Sequence, residues 1–165
     1  MRHINYKFFS LVFLFLLSSC SNDNKQLIDE KIVGKVIKIK DGDTIDILFN
    51  GNPLTIRFAH IDCPEYKSKQ PFGTAARQFT SELCFGQIVT IENEQEFDRN
   101  KRLIGVIINA QGQNLNKELI KAGLAWHYKK YSNDPSYADL EISARKSKIG
   151  LWTNDNPIPP WEWRN

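Results

Sequence analysis

The sequence predicts an α+β fold, a five-stranded OB-type Greek-key β-barrel with about three packed helices. Five short segments rich in β-branched and aromatic residues are bounded by Gly, Asn and Asp turns, and helical periodicities follow the third and the fifth of them. The chain has 165 residues, of which 41% are hydrophobic and 25% are charged. This size and composition are typical of one globular domain and exclude a disordered, collagenous or coiled-coil chain.

The first three strands are predicted from apolar residues between turns. Val and Ile recur through residues 32–39, and further β-rich segments cover residues 44–49 and 54–59. Asn50-Gly51 lies between the last two segments, and this dipeptide favours the two-residue turn of a β-hairpin. The second and third strands are therefore expected to form a hairpin.

Helical and strand patterns alternate in the second half of the chain. Apolar residues recur at i, i+3, i+4, i+7 and i+11 through residues 72–83, which predicts an amphipathic helix that ends before Gly86. Cap and turn residues delimit the other elements. These are strands over residues 87–91 and 103–108, a helix over residues 115–122, and a last helix from Asp134-Pro135 to Gly150.

The folded domain is predicted to cover residues 32–153, and the segments before and after it differ from it in composition. Residues 154–165 are rich in Pro and Trp, so they are predicted to form an extended strap that is not helical and whose Trp side chains pack on the domain. Residues 20–31 begin with a Cys and are mostly polar, which predicts a tether.

Residues 1–19 are predicted to be an export signal. Arg2 and Lys7 precede an apolar run over residues 11–17 that is too short to span a bilayer. Residues 17–20 (Leu-Ser-Ser-Cys) resemble the lipobox of bacterial lipoproteins, which implies cleavage before Cys20 and a lipid on its sulfur. We therefore expect an exported protein, lipid-anchored to a bacterial membrane and facing the periplasm or the cell exterior. The alternative is an ordinary secretory signal, or a signal anchor, without the lipid.

Removal of the signal leaves a weakly charged protein. The formal net charge of +3 includes Arg2 and Lys7, so the chain from Cys20 onward carries +1. A field this weak excludes generic polyanion binding, and basic groups must be concentrated locally if nucleic acid is the partner. Cys63 and Cys84 either form a disulfide in an oxidising compartment or remain two buried thiols.

Two turns carry pairs of carboxylates. Residues 41–44 read Asp-Gly-Asp-Thr and residues 62–65 read Asp-Cys-Pro-Glu, with Arg57 in the strand before the second turn. Turns between strands favour Asp and Gly in any case, so each segment alone is compatible with a plain turn. Together they offer hard oxygen ligands and a fixed cation, which are what phosphate chemistry on a divalent metal uses.

Other kinds of site have little support. Asp46 stands where an EF-hand beginning at Asp41 needs Gly. Only His60 and His127 remain after cleavage, without paired cysteines or a nucleophile elbow, so zinc and Ser-His-Asp sites are not indicated. Both histidines are expected to be structural or surface residues.

Two further segments are candidates for contact with nucleic acid. Residues 98–102 (Asp-Arg-Asn-Lys-Arg) concentrate three positive groups, which form either a solvated turn or a second clamp on the phosphate held by Arg57. Trp126, Tyr128 and Tyr131 are interleaved with His and Lys residues and could stack bases along a basic groove. Core packing is the favoured role for Trp126, whereas Tyr131 is the better surface candidate.

In their order and spacing, these segments resemble the staphylococcal nuclease (thermonuclease) family. The resemblance implies a calcium-dependent phosphodiesterase that cleaves DNA and RNA at the 5′ side of the phosphate and leaves 3′-phosphate ends. It extends over about residues 32–152, and the chain's end is similar to that of exported bacterial members. The motifs that carry it are residues 41–44, Arg57, residues 62–65, residues 98–102, residues 123–125 (Gly-Leu-Ala) and residues 150–163.

The resemblance implies a metal site and a base. Asp43 and Asp62 correspond to the carboxylates that bind Ca²⁺. The backbone carbonyl of Cys63 corresponds to a third ligand, since the thiol itself is too soft for calcium. Glu65 corresponds to the proposed general base that activates the attacking water.

The resemblance also implies phosphate- and nucleotide-binding residues. Arg57 and Arg102 correspond to the two phosphate-binding arginines, and loss of either is expected to abolish most cleavage while leaving the fold intact. The Tyr and Gly that the family usually has before the second arginine are absent, so Arg99 is its alternative. Tyr131 corresponds to one nucleotide-binding tyrosine, and Tyr128 substitutes for the other if the loop shifts.

Convergence of these residues requires a bend. Strict strand alternation from Arg57 would send Asp62 to the opposite face of the sheet. The family implies a bend near Ile61 that brings the two residues together.

The sequence therefore predicts a monomeric, lipid-anchored calcium nuclease that acts on DNA and RNA, with single strands favoured. The alternatives are a catalytically inactive OB-type module that binds nucleic acid or protein, and a structural lipoprotein that holds a cell-envelope partner. The joint presence of Asp43, Arg57, Asp62 and Glu65 argues against both, because a pure binder has no use for carboxylates beside a phosphate.

Overall fold

The computed structural model describes residues 32–164, apart from the side chains of residues 93–95. The predicted export signal, Cys20 and the tether lie outside the described residues. Within the described range, the helices are too short or too polar to cross a membrane.

Five strands close into a barrel in the order β1-β2-β3-β6-β5, with β5 pairing back to β1. The β3–β6 pair is parallel, and the other pairs in the barrel are antiparallel. A separate two-stranded sheet joins β4 to β7. The strands are β1 (Ile32–Asp41), β2 (Thr44–Phe49), β3 (Asn52–Phe58), β4 (Ile61–Asp62), β5 (Ile88–Phe97), β6 (Leu103–Ile108) and β7 (Trp126–His127).

Helices follow the third barrel strand and the fifth, as the periodicity predicts. They are α1 (Gly73–Cys84), α2 (Leu115–Lys121), α3 (Pro135–Lys146) and α4 (Pro160–Trp163), and a 3₁₀ turn covers Gly150–Thr153. The predicted OB-type α+β fold is thereby confirmed.

Alternation along the strands fills the barrel with branched apolar side chains. In β6, Leu103 and Ile107 are buried, and their neighbours in sequence are less so. Each fully buried Ile or Leu contributes about 1.5–3 kcal/mol relative to exposure. The fully buried side chains of the core include Ile32, Ile45, Ile47, Ile56, Leu115 and Leu119.

Local turn and cap chemistry places the element ends close to their predicted positions. Asn50 and Gly51 have φ angles of 48° and 78°, the left-handed pair that the predicted hairpin turn needs. Asn114 accepts from the Lys117 N–H at the start of α2, and Asp134 accepts from the Ser136 N–H at the start of α3.

Strand β5 is longer than predicted. The sequence predicts it over residues 87–91, but pairing with β6 continues to Phe97, opposite Leu103. The added residues are mostly polar and lack the apolar alternation on which the prediction depends. Their pairing partner, rather than their own pattern, makes them a strand.

The C-terminal strap is only partly extended. Residues 154–159 are not helical, but the next four form α4, so the prediction that the strap contains no helix is wrong. Pro160 occupies the first turn of α4, where a backbone N–H is not needed, so the prolines precede the helix rather than interrupt it. As predicted, a Trp packs on the domain. The centroid of the Trp161 ring lies 5.6 Å from that of Trp126 and 5.3 Å from that of Tyr128.

Cys63 and Cys84 are free thiols, so the disulfide alternative is wrong. Cys63 lies beside Ala76, and Cys84 comes eight residues later in α1, about 12 Å along the helix axis. That separation exceeds the Cα–Cα reach of a disulfide. Burial raises the pKa of the Cys84 thiol to about 12 and raises that of Cys63 well above its ordinary value.

Candidate active site

The β1–β2 turn and the end of β3 bring the Asp43 carboxylate close to Arg57. Thr44 pairs with Arg57 in the sheet register, and the Phe58 N–H donates to the Asp43 carbonyl at 2.9 Å. Asp43 and Arg57, which lie 14 positions apart in the sequence, are therefore neighbours at one end of the barrel.

A bend after β3 brings the Asp62 carboxylate to Arg57 as well. His60 has a φ angle of 66°, and this left-handed residue interrupts the alternation between β3 and β4. The predicted bend near Ile61 thus lies one residue earlier. As a result, Asp62 turns back towards Arg57 instead of facing away from it.

The Arg57 guanidinium joins both carboxylates. Its Nη1 lies 3.2 Å from Asp43 Oδ2, and its Nη2 lies 2.7 Å from Asp62 Oδ1. Burial alone would lower the pKa of Arg57, but Asp43 and Asp62 outweigh it, so the pKa is raised and the group stays charged. The site therefore contains a permanent cation held between two carboxylates.

The Cys63 backbone, rather than its thiol, faces the site. Its N–H donates to Asp43 Oδ2 at 2.7 Å, while its side chain is 2% exposed and packs against Gly42. A Cβ on Gly42 would come within 2.8 Å of the Cβ atoms of both Cys63 and Ala76. A glycine is therefore needed at residue 42 for the two carboxylate turns to meet.

Several carboxylates share this end of the barrel, and they repel one another. Burial, followed by the charge of Asp43, raises the pKa of Asp41 to about 6. Burial also raises the pKa of Asp62, with Asp43 contributing, against the opposing effects of Arg164 and Arg57. A cation among these groups would relieve the repulsion.

The donor set is compatible with calcium and incompatible with softer metals. Within residues 32–164, no three His, Cys, Asp or Glu side chains are grouped to hold a metal by themselves. Calcium takes six to eight oxygen ligands and commonly completes its shell with backbone carbonyls and water. Asp43 and Asp62 fit such a shell, whereas these two carboxylates lack the Cys or His ligands that zinc sites in proteins usually contain.

Glu65 lies in a loop that is held on two sides. Its N–H donates to Gln70 Oε1 at 2.9 Å. Its carbonyl packs closely against Gly73, where an added Cβ would lie only 2.6 Å from the Glu65 carbonyl oxygen. Its carboxylate pairs with Arg164, which also binds Asp62. The candidate base and a candidate metal ligand therefore share one partner.

Sequence reasoning missed Arg164. It is a single basic residue at the end of the chain, outside any motif, and only the path of the C-terminal strap brings it to Asp62. No local pattern could have indicated this contact.

Arg102, rather than Arg99, is close to the carboxylates. Its Nη1 lies 3.4 Å from the Thr44 hydroxyl, which in turn donates to Asp43. Asp98 holds Arg102 through its Oδ2, 2.7 Å from Nε and 2.6 Å from Nη2. Arg99 is exposed on the turn between β5 and β6.

Almost all the predicted site residues line one cavity of about 740 Å³. Among the predicted catalytic, metal-binding and substrate-binding residues, Cys63 does not line it, because its side chain is buried in the core. The lining includes Asp43, Arg57, Asp62, Glu65, Arg99, Arg102, Tyr128 and Tyr131, together with Arg164.

The aromatic residues form a wall at the edge of this cavity. Tyr128 stacks on Trp161 with an interplanar angle of 6° and meets Tyr131 edge-on at 5.0 Å between ring centroids. Tyr131 is 67% exposed, whereas Trp126 is only 8% exposed and packs against Trp152. The predicted core role of Trp126 and surface position of Tyr131 are confirmed.

The two histidines share a buried serine. His60 Nδ1 lies 3.1 Å and His127 Nε2 lies 2.9 Å from the Ser132 hydroxyl. Ser132 is buried, and burial also lowers the pKa of His127. This arrangement agrees with the structural role expected of both histidines.

A closed OB-type barrel with carboxylates and arginines gathered on one cavity defines a class, the nucleases built on this fold. A family model described as staphylococcal nuclease homologue matches residues 55–154. The chain belongs to the staphylococcal nuclease family, and it is a nuclease of the hydrolase class.

Similar proteins occur in bacteria and plants. The chain is 40% identical to an uncharacterized endonuclease of Haemophilus influenzae over 157 residues, which cover 94% of this chain and 82% of that protein. It is 39% identical to a micrococcal nuclease of Shigella flexneri over 141 residues, 79% of each chain. It is 38% identical to the staphylococcal-like nuclease CAN1 of Arabidopsis thaliana over 109 residues, 66% of this chain and 32% of that one.

Proposed function

We propose that this protein is a calcium-dependent nuclease that hydrolyses phosphodiester bonds of DNA and RNA and leaves 3′-phosphate ends. The observation that carries the proposal is the convergence of Asp43 and Asp62 on Arg57, with Glu65 on the same cavity. The endonuclease and nuclease names of the relatives support it.

Asp43, Asp62 and the carbonyl of Cys63 are the groups that would hold the calcium ion. When bound, calcium supplies Lewis-acid polarisation of a phosphoryl oxygen. Glu65 accepts a proton from the water that attacks phosphorus. The P–O5′ bond breaks and the leaving O5′ takes up a proton from solvent water, which gives a 3′-phosphate on one product and a 5′-hydroxyl on the other.

Arg57 and Arg102 bind the phosphate from two sides of the cavity. Their planar guanidinium groups match phosphate oxygens in pairs and stabilise the negative charge that develops on them. Arg57 is already oriented by Asp62, and Arg102 by Asp98, so little reorganisation is needed as the reaction proceeds.

Aromatic rings at the edge of the cavity provide the binding surface for the nucleotide. Tyr131, which is 67% exposed, offers a ring on which an unstacked base can lie, Tyr128 lies beside it, and Arg99 adds a positive charge at the rim. Bases are accessible in this way in single strands, which we therefore propose as the favoured substrate, bound by a monomer.

Removal of calcium should abolish cleavage. We expect the purified protein to digest single-stranded DNA and RNA in millimolar calcium, and an excess of calcium chelator to stop the reaction. Gel electrophoresis follows the digestion, and mass spectrometry of the products identifies the phosphate end. Binding of the strand without cleavage at any calcium concentration would instead support the inactive OB-type binding module.

We also propose that Cys20 anchors the nuclease to a bacterial membrane through a lipid. Two acyl chains hold a protein on a membrane, at about 0.8 kcal/mol per buried methylene. In the native host, Cys20→Ala is expected to move nuclease activity from the membrane fraction to the soluble fraction, with Ser18→Ala as the control. An unmodified Cys20 in the mass spectrum of the native protein would refute the anchor.

A further inference from the structure

The C-terminal arginine lies within the candidate metal site. Arg164 Nη2 is 2.6 Å from Asp62 Oδ2, and its Nη1 is 3.3 Å from Asp62 Oδ1. The same Nη1 contacts Glu65 Oε1 at 2.5 Å. One guanidinium therefore bridges the proposed metal ligand and the proposed general base.

This contact uses the oxygen atoms on which the proposed reaction depends. Asp62 Oδ1 already accepts from Arg57, and Arg164 takes its second oxygen. A calcium ion bound through Asp62 Oδ2 would have to replace the Arg164 N–H at that atom. The Glu65 carboxylate is likewise occupied, because its Oε1 accepts a hydrogen bond from the same guanidinium.

The C-terminal strap positions Arg164 by several contacts that do not involve the carboxylates. Gln70 donates to the Ile158 carbonyl at 2.8 Å and also accepts from the Glu65 N–H. Trp161 stacks on Tyr128, and Trp163 Nε1 donates to the Ser68 hydroxyl at 2.9 Å. The strap can therefore remain docked when the arginine side chain leaves.

The Arg164 side chain has a route out of the site. It is 41% exposed, compared with 12% for the Arg57 side chain, and it follows the last residue of α4. Rotation of its side chain alone would place the guanidinium in solvent. Arg57, by contrast, is enclosed by the barrel end and stays with the carboxylates.

We propose that Arg164 is an autoinhibitory cation, which occupies the site between Asp62 and Glu65 in the absence of calcium and is displaced when calcium binds. The proposal rests on the calcium-dependent nuclease function proposed above. It explains how the clustered carboxylates are neutralised without a metal, and it makes the C-terminal strap a regulator of that site. The bound arginine raises the calcium concentration at which the enzyme becomes active.

Calcium affinity in the absence of nucleic acid tests this directly. Isothermal titration of the purified protein should give a Kd for calcium at least about tenfold lower for Arg164→Gln than for the unchanged protein, the equivalent of one charge-assisted hydrogen bond. Arg164→Lys should fall between the two, because Lys keeps the charge and loses the paired geometry.

A matched control removes the same charge at a distance. Lys146→Gln changes the net charge equally, at an exposed position at the end of α3. We expect its calcium Kd to stay within about twofold of the unchanged protein, since a remote surface charge is screened.

Cleavage rates add a second readout. Arg164→Gln should reach half-maximal activity at a calcium concentration about tenfold lower, in line with its affinity, and its kcat at saturating calcium should be unchanged or higher. A lower kcat at saturating calcium would show that Arg164 acts on the substrate and would overturn the proposal.

The outcomes distinguish this inference from the proposed function. Equal calcium affinity of Arg164→Gln and the unchanged protein, with calcium-dependent cleavage intact, would overturn the autoinhibitory role alone. Absence of calcium binding in every variant would overturn the calcium function together with it.

Discussion

Arg57→Lys is expected to lower kcat about 100- to 1,000-fold, the typical effect of losing one preorganised donor to a transition-state oxygen. Lys keeps a positive charge between Asp43 and Asp62, so the carboxylates stay compensated. It has no planar fork, however, and cannot hold Asp62 and a phosphate oxygen at once. The loss corresponds to about 3–4 kcal/mol of barrier height.

Steady-state cleavage of a defined oligonucleotide measures this effect. Arg145→Lys is the matched control: Arg145 packs over the Trp152 ring and pairs with Glu141, outside the cavity that carries the site. We expect this variant to keep the unchanged kcat. Full turnover in folded Arg57→Lys would contradict the phosphate-binding role of Arg57.

The structure changes one expectation about Arg57→Ala. The sequence-based expectation is that this variant keeps its fold, but the Arg57 side chain is only 12% exposed and bridges two carboxylates. Removing one partner of a buried ion pair costs about 3–5 kcal/mol of stability. Loss of activity in Arg57→Ala would therefore mix a folding defect with a catalytic one, and Lys is the informative replacement.

Glu65→Gln is expected to lower kcat about 100- to 10,000-fold, the range for removal of a general base. Gln has nearly the same shape, and its Oε1 can still accept from Arg164, so the loop should keep its position. Because an amide does not take up a proton at neutral pH, the variant cannot activate the attacking water.

The pH profile separates a base from a structural residue. The acidic side of the kcat–pH profile should be altered in the residual activity of Glu65→Gln, because the group proposed as the general base has been removed. Glu118→Gln, which alters the exposed ion pair with Lys121, is the control and should leave the profile unchanged. Near-normal kcat in Glu65→Gln would assign the general base to another group.

The parts of the barrel that the sequence predicts are those set by interactions between residues close in the chain. The hairpin at Asn50-Gly51, the caps at Asn114 and Asp134, and the alternation in β6 each depend on residues close in the chain. Where that signal is absent the prediction fails. Most of the part of β5 beyond residue 91 is polar and becomes a strand because β6 lies beside it.

The same distinction applies to the site. Asp43, Asp62 and Glu65 are recognisable because they lie in two short motifs. Arg57 lies in the strand before the second motif, and the order and spacing of the set are specific. Their convergence required a bend that alternation could not supply, and the left-handed His60 provides it.

The sequence by itself determined the barrel, its hairpin and the four residues at the centre of the site, because turn geometry, alternation and motif spacing are properties of neighbouring residues. Only the tertiary structure decided that Cys63 and Cys84 are too far apart to pair, and that Arg164 reaches Asp62 across 102 positions of sequence. Both depend on distances between segments remote in the chain, which packing determines and which no local pattern encodes.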